Sequence, residues 1–188
     1  MTENSTTKNW HAIYTRSKCE KVVYERLQKF CEPYLPMHKV QRQWSDRIKT
    51  LHLPLISCYV FAYMSSDQRF ETFRDPNIIS ILSRNGKPLK IPEKEIELLR
   101  RIELSRTPFQ FTQHHYAFSI GDKTIFNSGP LYGQEAYIEK IYNDTWVYVR
   151  VPTLGGFFKA KLKTLSPDIS TLSEEVKEKA SYKSSLTY

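Results

Sequence analysis

Long apolar runs are missing from this chain of 188 residues, and so are several catalytic signatures. No stretch approaches the roughly 20 apolar residues that a membrane-spanning helix needs. The opening segment, Met1 to Asn9, is polar and has no apolar signal core, so the expected location is the cytoplasm, with no membrane contact. Cysteine is scarce: Cys19, Cys31 and Cys58 are an odd number with no CxxC pair. That argues against a disulfide framework or a zinc site, and the three read as small buried hydrophobes. Adjacent His114 and His115 would point apart on an extended chain and have no third ligand nearby, so no metal is expected. There is no nucleophile elbow, no phosphate-cradling glycine loop and no HExxH. Asp46, Asp67, Asp75 and Asp122 fall at predicted turns, where aspartate caps and bends the chain. The chain reads as a non-enzyme without a cofactor.

What is present is positive charge and aromatic rings. The net charge is +8, and aromatics make up 13% of residues. Residues 8–50 hold ten Lys/Arg against four acids. A basic excess at one end suggests contact with a nucleic-acid backbone, against the ordinary alternative of a solvated surface. The densest apolar stretch is Pro54-Leu55-Ile56-Ser57-Cys58-Tyr59-Val60-Phe61-Ala62-Tyr63-Met64. Its β-branched and aromatic content predicts a strand. Alternation puts Cys58, Val60, Ala62 and Met64 on one face and Tyr59, Phe61 and Tyr63 on the other. The aromatic face is either a second core face or an open groove for a partner.

Around it, Trp10–Thr15 predicts a first strand. Ser17 and Glu20 fit a capping box for a helix running to about Phe30, with Cys19, Val22, Val23, Leu27 and Phe30 on one face. Tyr34–Trp44 and Ile48–Leu53 predict a hairpin across Ser45-Asp46-Arg47. A short helix from Ser66-Asp67 would turn Phe70 and Phe73 inward. Ile78–Leu82 predicts a strand, and Pro92–Leu104 a third helix with Ile96, Leu99 and Ile102 on one face. The fold class is α+β with an antiparallel sheet. Residues 105–116 read as a linker. From residue 117 to 168, five of the six glycines punctuate short apolar runs, which suggests a small β-barrel. Residues 1–8 and 169–188 read as disordered ends.

Three segments carry a family resemblance. Trp10-His11-Ala12-Ile13-Tyr14-Thr15-Arg16-Ser17-Lys18-Cys19-Glu20-Lys21, the Pro-Leu-x-x-x-Tyr-x-Phe pattern from Pro54, and Asn127-Ser128-Gly129-Pro130-Leu131-Tyr132-Gly133 occur in an order that resembles the NusG-type transcription elongation factors. The chain is most similar to the UpxY group of specialised paralogues. Departures are His11, where the family usually has Tyr, Ala136, where many KOW motifs have glycine, and the tail Ile169–Tyr188.

The resemblance implies an NGN-like domain over 9–104 and an SH3-like KOW barrel over 117–168. It implies a monomer that binds the β′ clamp helices and β subunit of RNA polymerase and suppresses pausing and termination, as on a capsular or surface polysaccharide operon. A general NusG role and a ribosome- or RNA-binding KOW protein are the alternatives. Tyr59, Phe61 and Tyr63, with Ile81 and Ile96 as a second wall, would line the polymerase groove. Arg16, Lys18, Lys21, Arg26 and Arg74 would face the non-template DNA strand. On the barrel, Leu131 and Leu154 would be apolar contacts to a partner such as ribosomal protein S10 or a termination factor, with Leu154 exposed beside its glycines, against the alternative that they are core leucines.

Overall fold

A computed structural model describes residues 7–105, 107–112, 123–126, 129–141 and 144–161. The chain divides into two compact units, Met1–Leu99 and Arg100–Tyr188. The first is built on a four-stranded antiparallel sheet of β1 (Asn9–Thr15), β2 (Glu32–Tyr34), β5 (Tyr59–Met64) and β6 (Ile78–Ile81), in the order β2-β5-β1-β6. Helix α1 (Glu20–Leu27) covers one face. There Val23 and Leu27 pack with Ile13, Val60, Ala62, Met64 and Ile81 in a single apolar cluster. Burial of such a cluster stabilises the unit at roughly 25 cal/mol per Å² of apolar surface.

Two further pairs stand outside that sheet. β3 (Met37–Gln43) and β4 (Ile48–Pro54) form a hairpin in continuous register from Met37 opposite Pro54 to Gln43 opposite Ile48. β7 (Ser83–Arg84) and β8 (Lys87–Pro88) form a small hairpin. Its turn is Asn85-Gly86, both with positive φ (52° and 74°), which suits the right-handed strand twist. Helix α2 (Ser66–Thr72) lies between β5 and β6, and α3 (Glu93–Leu104) follows β8. Ile96, Leu99 and Ile102 on α3 are buried, as their spacing predicts.

Several expectations need correction. Strand β5 starts at Tyr59, because Cys58 takes a left-handed conformation (φ 63°) that ends the extended run. The Ser17/Glu20 capping box does not form. The N-cap of α1 is Cys19 without a side-chain hydrogen bond, and the Glu20 carboxylate instead accepts from the Cys58 N–H at 2.7 Å. A capping box does occur on α2, between Ser65 and Gln68. Val22 is exposed on α1. Phe70 and Phe73 face solvent, since α2 turns Thr72 inward instead. The three cysteines are half-buried rather than buried. Burial pushes the Cys31 thiol up to about 11, against a small opposing pull from Lys8, so it stays protonated at neutral pH.

The second unit holds a five-stranded antiparallel sheet in the order β10-β11-β12-β13-β9. Its strands are β9 (Gln110–Thr112), β10 (Lys123–Ile125), β11 (Glu135–Ile141), β12 (Asp144–Val151) and β13 (Gly156–Lys161). β9 falls inside the stretch read as linker. Its residues pair with Phe157–Lys159, and Phe111 packs on Phe158 at 5.1 Å, so the chain is already part of the sheet there. Gly156 sits where a side chain would strike the Phe111 ring and, at 2.8 Å, the Thr112 carbonyl. The histidine pair, residues 1–6 and 162–188, and Asn127-Ser128 lie outside the described residues.

Three stability outcomes follow from these contacts. Glu20→Ala strands the Cys58 amide and is expected to cost about 1–3 kcal/mol in urea unfolding. Cys58→Gly removes the left-handed penalty on a residue with a Cβ and is expected to stabilise by up to about 1 kcal/mol in the same assay. Gly156→Ala overpacks the edge between β13 and β9 and is expected to lower stability by about 1–3 kcal/mol, read from the thermal transition of the second unit.

Candidate functional site

The register between β1 and β5 builds the candidate site. Trp10 lies opposite Tyr63, Ala12 opposite Phe61 and Tyr14 opposite Tyr59. Tyr34 on β2 lies opposite Phe61. Paired residues share a face, so Trp10, Tyr14, Tyr34, Tyr59, Phe61 and Tyr63 form one aromatic surface on the side of the sheet away from α1. Four rings pack in a chain, Trp10–Tyr63 at 5.4 Å, Trp10–Tyr34 at 6.4 Å and Tyr34–Phe61 at 6.3 Å, and Tyr14–Tyr59 form a separate pair at 5.3 Å. These separations suit tilted and edge-on ring packing.

The surface is closed at one end and open at the other. Phe61 and Ala12 are fully buried, and Trp10 is 5% exposed. The Trp10 indole N–H donates to Glu93 at 2.7 Å, and the Ile91 N–H donates to the Trp10 carbonyl at 2.8 Å. The chain entering α3 therefore lies against the Trp10 end. On the helix side of the same strand, the buried His11 Nδ1 donates to the Leu89 carbonyl at 2.8 Å. At the open end Tyr14 is 37% exposed and Tyr59 is half-buried.

Of the groove residues expected from sequence, Tyr59, Phe61 and Tyr63 share this face, but Phe61 is a core side chain with no surface to offer. Ile81 is on the other face: it pairs with Ile13 and joins the cluster under α1. Ile96 is fully buried in α3. Neither isoleucine supplies an open wall. Tyr14 and Tyr34, absent from the expected set, belong to the face. Tyr14 was legible from strand alternation in Trp10–Thr15 once its partner strand was known.

The basic residues also separate. Arg26 is tied to Asp75 at 2.7 Å, and Arg74 to Glu71 at 2.7 Å. Arg16, Lys18 and Lys21 are exposed around the start of α1, with Lys18 in a left-handed conformation (φ 64°). In the second unit, Leu131 and Leu154 are 4% and 6% exposed, not open contact residues. The turn that closes with Gly155 N–H on the Pro152 carbonyl carries Leu154 inward. Tyr132, beside Leu131, is 68% exposed. Among the described residues no group of His, Cys, Asp or Glu could hold a metal ion, and no helix is long and apolar enough to cross a membrane.

Core and rim positions on the aromatic face should differ sharply in stability. Phe61→Ala is expected to cost about 3–5 kcal/mol and Tyr59→Ala about 1 kcal/mol, measured by urea denaturation.

Comparison with known proteins fits this architecture. Residues 8–100 match the family model described as NusG, transcription termination factor nusG. Among solved structures, the chain is similar to NusG of Thermotoga maritima, from a study of domain interaction in that protein. The TM-score is 0.56 at 20% identity, over 85% of this chain and 95% of that one, a likeness of fold. Two conformations of the MjSpt4:Spt5 complex also match, at TM-scores of 0.31 and 0.30 and identities of 14% and 16%, covering 81% of this chain and 99% and 96% of theirs, too slight an overlap to bear on the fold. Among curated proteins, none matches the sequence. Residues 8–100 are thus similar to the NusG family, whose model is described as that of a transcription termination factor.

Proposed function

We propose that this protein is a transcription elongation and antitermination factor that docks on RNA polymerase through the open end of its aromatic face. The observation that carries the reading is the Tyr14–Tyr59 pair. Two rings 5.3 Å apart stay accessible on a face where Trp10 and Phe61 are buried and Tyr34 and Tyr63 are half-buried. A rigid pair of tyrosines on a sheet is a suitable anchor for an amphipathic helix, and a few such aromatic anchors carry most of the affinity of an interface. The β′ clamp helices are the partner that fits, with Tyr63 at the margin and Phe61 supporting the surface from below. Additional contact with the β subunit would let the domain bridge the cleft. The factor performs no chemistry: its binding energy holds the clamp closed and so suppresses pausing and termination.

Arg16, Lys18 and Lys21 supply the nucleic-acid side of this reading. Their exposed positive charge suits the phosphates of the non-template strand, with a salt-dependent contribution. Arg26 and Arg74 would add to it, each shared with a carboxylate, Asp75 and Glu71. The second unit is read as a KOW barrel over 117–168. It would bind a second protein, such as ribosomal protein S10 or a termination factor, through Tyr132 rather than through the buried Leu131 and Leu154. The sequence resemblance to the UpxY group favours a specialised role on a long capsular or surface polysaccharide operon.

The test is co-purification of the tagged chain with core RNA polymerase. Tyr14→Ala/Tyr59→Ala, shown by circular dichroism to be folded, is expected to lose about 2 kcal/mol of affinity or more, a fall of at least about 30-fold. Equal recovery by wild type and variant would remove the aromatic face from the interface. Recovery of ribosomal subunits without polymerase would favour a ribosome-binding KOW protein.

A further inference from the structure

The β3–β4 hairpin is the largest element that the proposed polymerase contact leaves unused. Its register extends through the turn, where the Trp44 N–H donates to the Arg47 carbonyl at 2.8 Å. Arg42 lies directly opposite Lys49. By the same register Trp44 faces Arg47, so Arg42, Lys49, Trp44 and Arg47 share one face of the hairpin tip. The other face carries Gln41, Gln43, Ile48 and Thr50, without a charge. All ten residues from 41 to 50 are exposed.

Three features of this tip are costly for a folded chain in isolation. Like charges directly opposite one another destabilise an antiparallel pair, and Arg42 and Lys49 are such a pair. An indole is left 50% exposed at the end of the hairpin. The single acid near the tip, Asp46, meets only Arg47, at 3.5 Å between two exposed side chains, a weak contact in water. The Lys49 ammonium lies 5.5 Å from the Trp44 ring centre. One cation thus lies by the ring, and Arg42 and Arg47 share its face of the hairpin.

We infer that the hairpin tip is a binding site for single-stranded nucleic acid, with a base stacked on Trp44 and the flanking phosphates on Arg42 and Lys49. A flat ring bordered by cations matches an unpaired base with its phosphates, since any base offers a stacking face and the backbone supplies the negative charge. A duplex hides its base faces and would engage only the cations. An acidic peptide would satisfy the charge but would not need the ring. This site is on a different element from Arg16, Lys18 and Lys21, and it does not depend on polymerase binding.

The experiment is fluorescence anisotropy of a labelled oligothymidylate of about 12 nucleotides, titrated with the full chain in the absence of polymerase. Trp44→Ala is expected to raise Kd by about tenfold, and Trp44→Phe to retain most of the affinity, because stacking is worth about 1–3 kcal/mol per base. Arg42→Gln/Lys49→Gln is expected to reduce the slope of log Kd against log salt by about 1.4, two phosphates at about 0.7 each. The site is overturned if the wild type does not bind at low salt, or if Trp44→Ala binds as well as wild type. It is equally overturned if a duplex or polyglutamate binds as tightly with the same dependence on Trp44. The tip is solvent-exposed, so these variants keep the fold, which circular dichroism checks. Because polymerase is absent, failure here leaves the proposed clamp contact standing, and failure of that contact leaves this site standing.

Discussion

The pairing of Asn9–Thr15 with Tyr59–Met64 is the constraint on which the rest of the first unit depends. Side chains alternate along a strand, so register decides which of them meet. With Ile13 opposite Val60 and His11 opposite Ala62, one face receives compact residues and accepts α1. With Trp10 opposite Tyr63 and Tyr14 opposite Tyr59, the other face receives the rings. A slip by one residue would set rings against the helix and expose the aliphatic core. The stability of the domain and the existence of an aromatic surface are thus consequences of the same hydrogen-bond ladder.

Where β5 begins is set by a second, smaller interaction. Cys58 bends the chain in a left-handed conformation, and its amide is taken by the buried Glu20 at 2.7 Å. The Thr15 N–H donates to the Cys58 carbonyl at 2.9 Å, so the same residue ties the end of β1 to the start of β5. A carboxylate on the first residue of α1 therefore anchors the turn that positions Tyr59. The link runs from one acidic side chain, through a backbone amide, to the ring offered to a partner. A second carboxylate contact, Arg26 with Asp75 at 2.7 Å, joins α1 to the approach to β6.

Much of this was legible in the sequence because local chemistry and global fold agree. The Trp10–Thr15 strand, the hairpin about Ser45-Asp46-Arg47, the Asn85-Gly86 turn and the Ile96/Leu99/Ile102 face each carry a local signature that the fold retains. What was not legible depended on distant partners. Glu20 sits at capping-box spacing from Ser17, but the Cys58 amide, far along the chain, offers its carboxylate a better-placed donor. Phe70 and Phe73 have helical spacing, yet α2 is short and turns Thr72 inward. Ile81 falls under α1 only because β6 pairs beside Ile13, a register that no local pattern announces. Leu154, flanked by glycine, looks exposed until the Pro152–Gly155 turn folds it inward. Arg26 and Arg74 were indistinguishable from Lys21 until their carboxylate partners were in view.

In the proposed docking mode the open end of the aromatic face, and not the exposed phenylalanines of α2, meets RNA polymerase. The most direct measurement places a photo-crosslinking phenylalanine analogue at position 14 in one sample and at position 70 in another, each irradiated with core polymerase. Tyr14 and Phe70 are both exposed, and an aromatic analogue at position 14 keeps a ring against Tyr59. Docking through Tyr14 predicts a crosslink from position 14 to the β′ subunit within the clamp helices, and none to that segment from position 70. A crosslink to the clamp helices from position 70, with none from position 14, would contradict it.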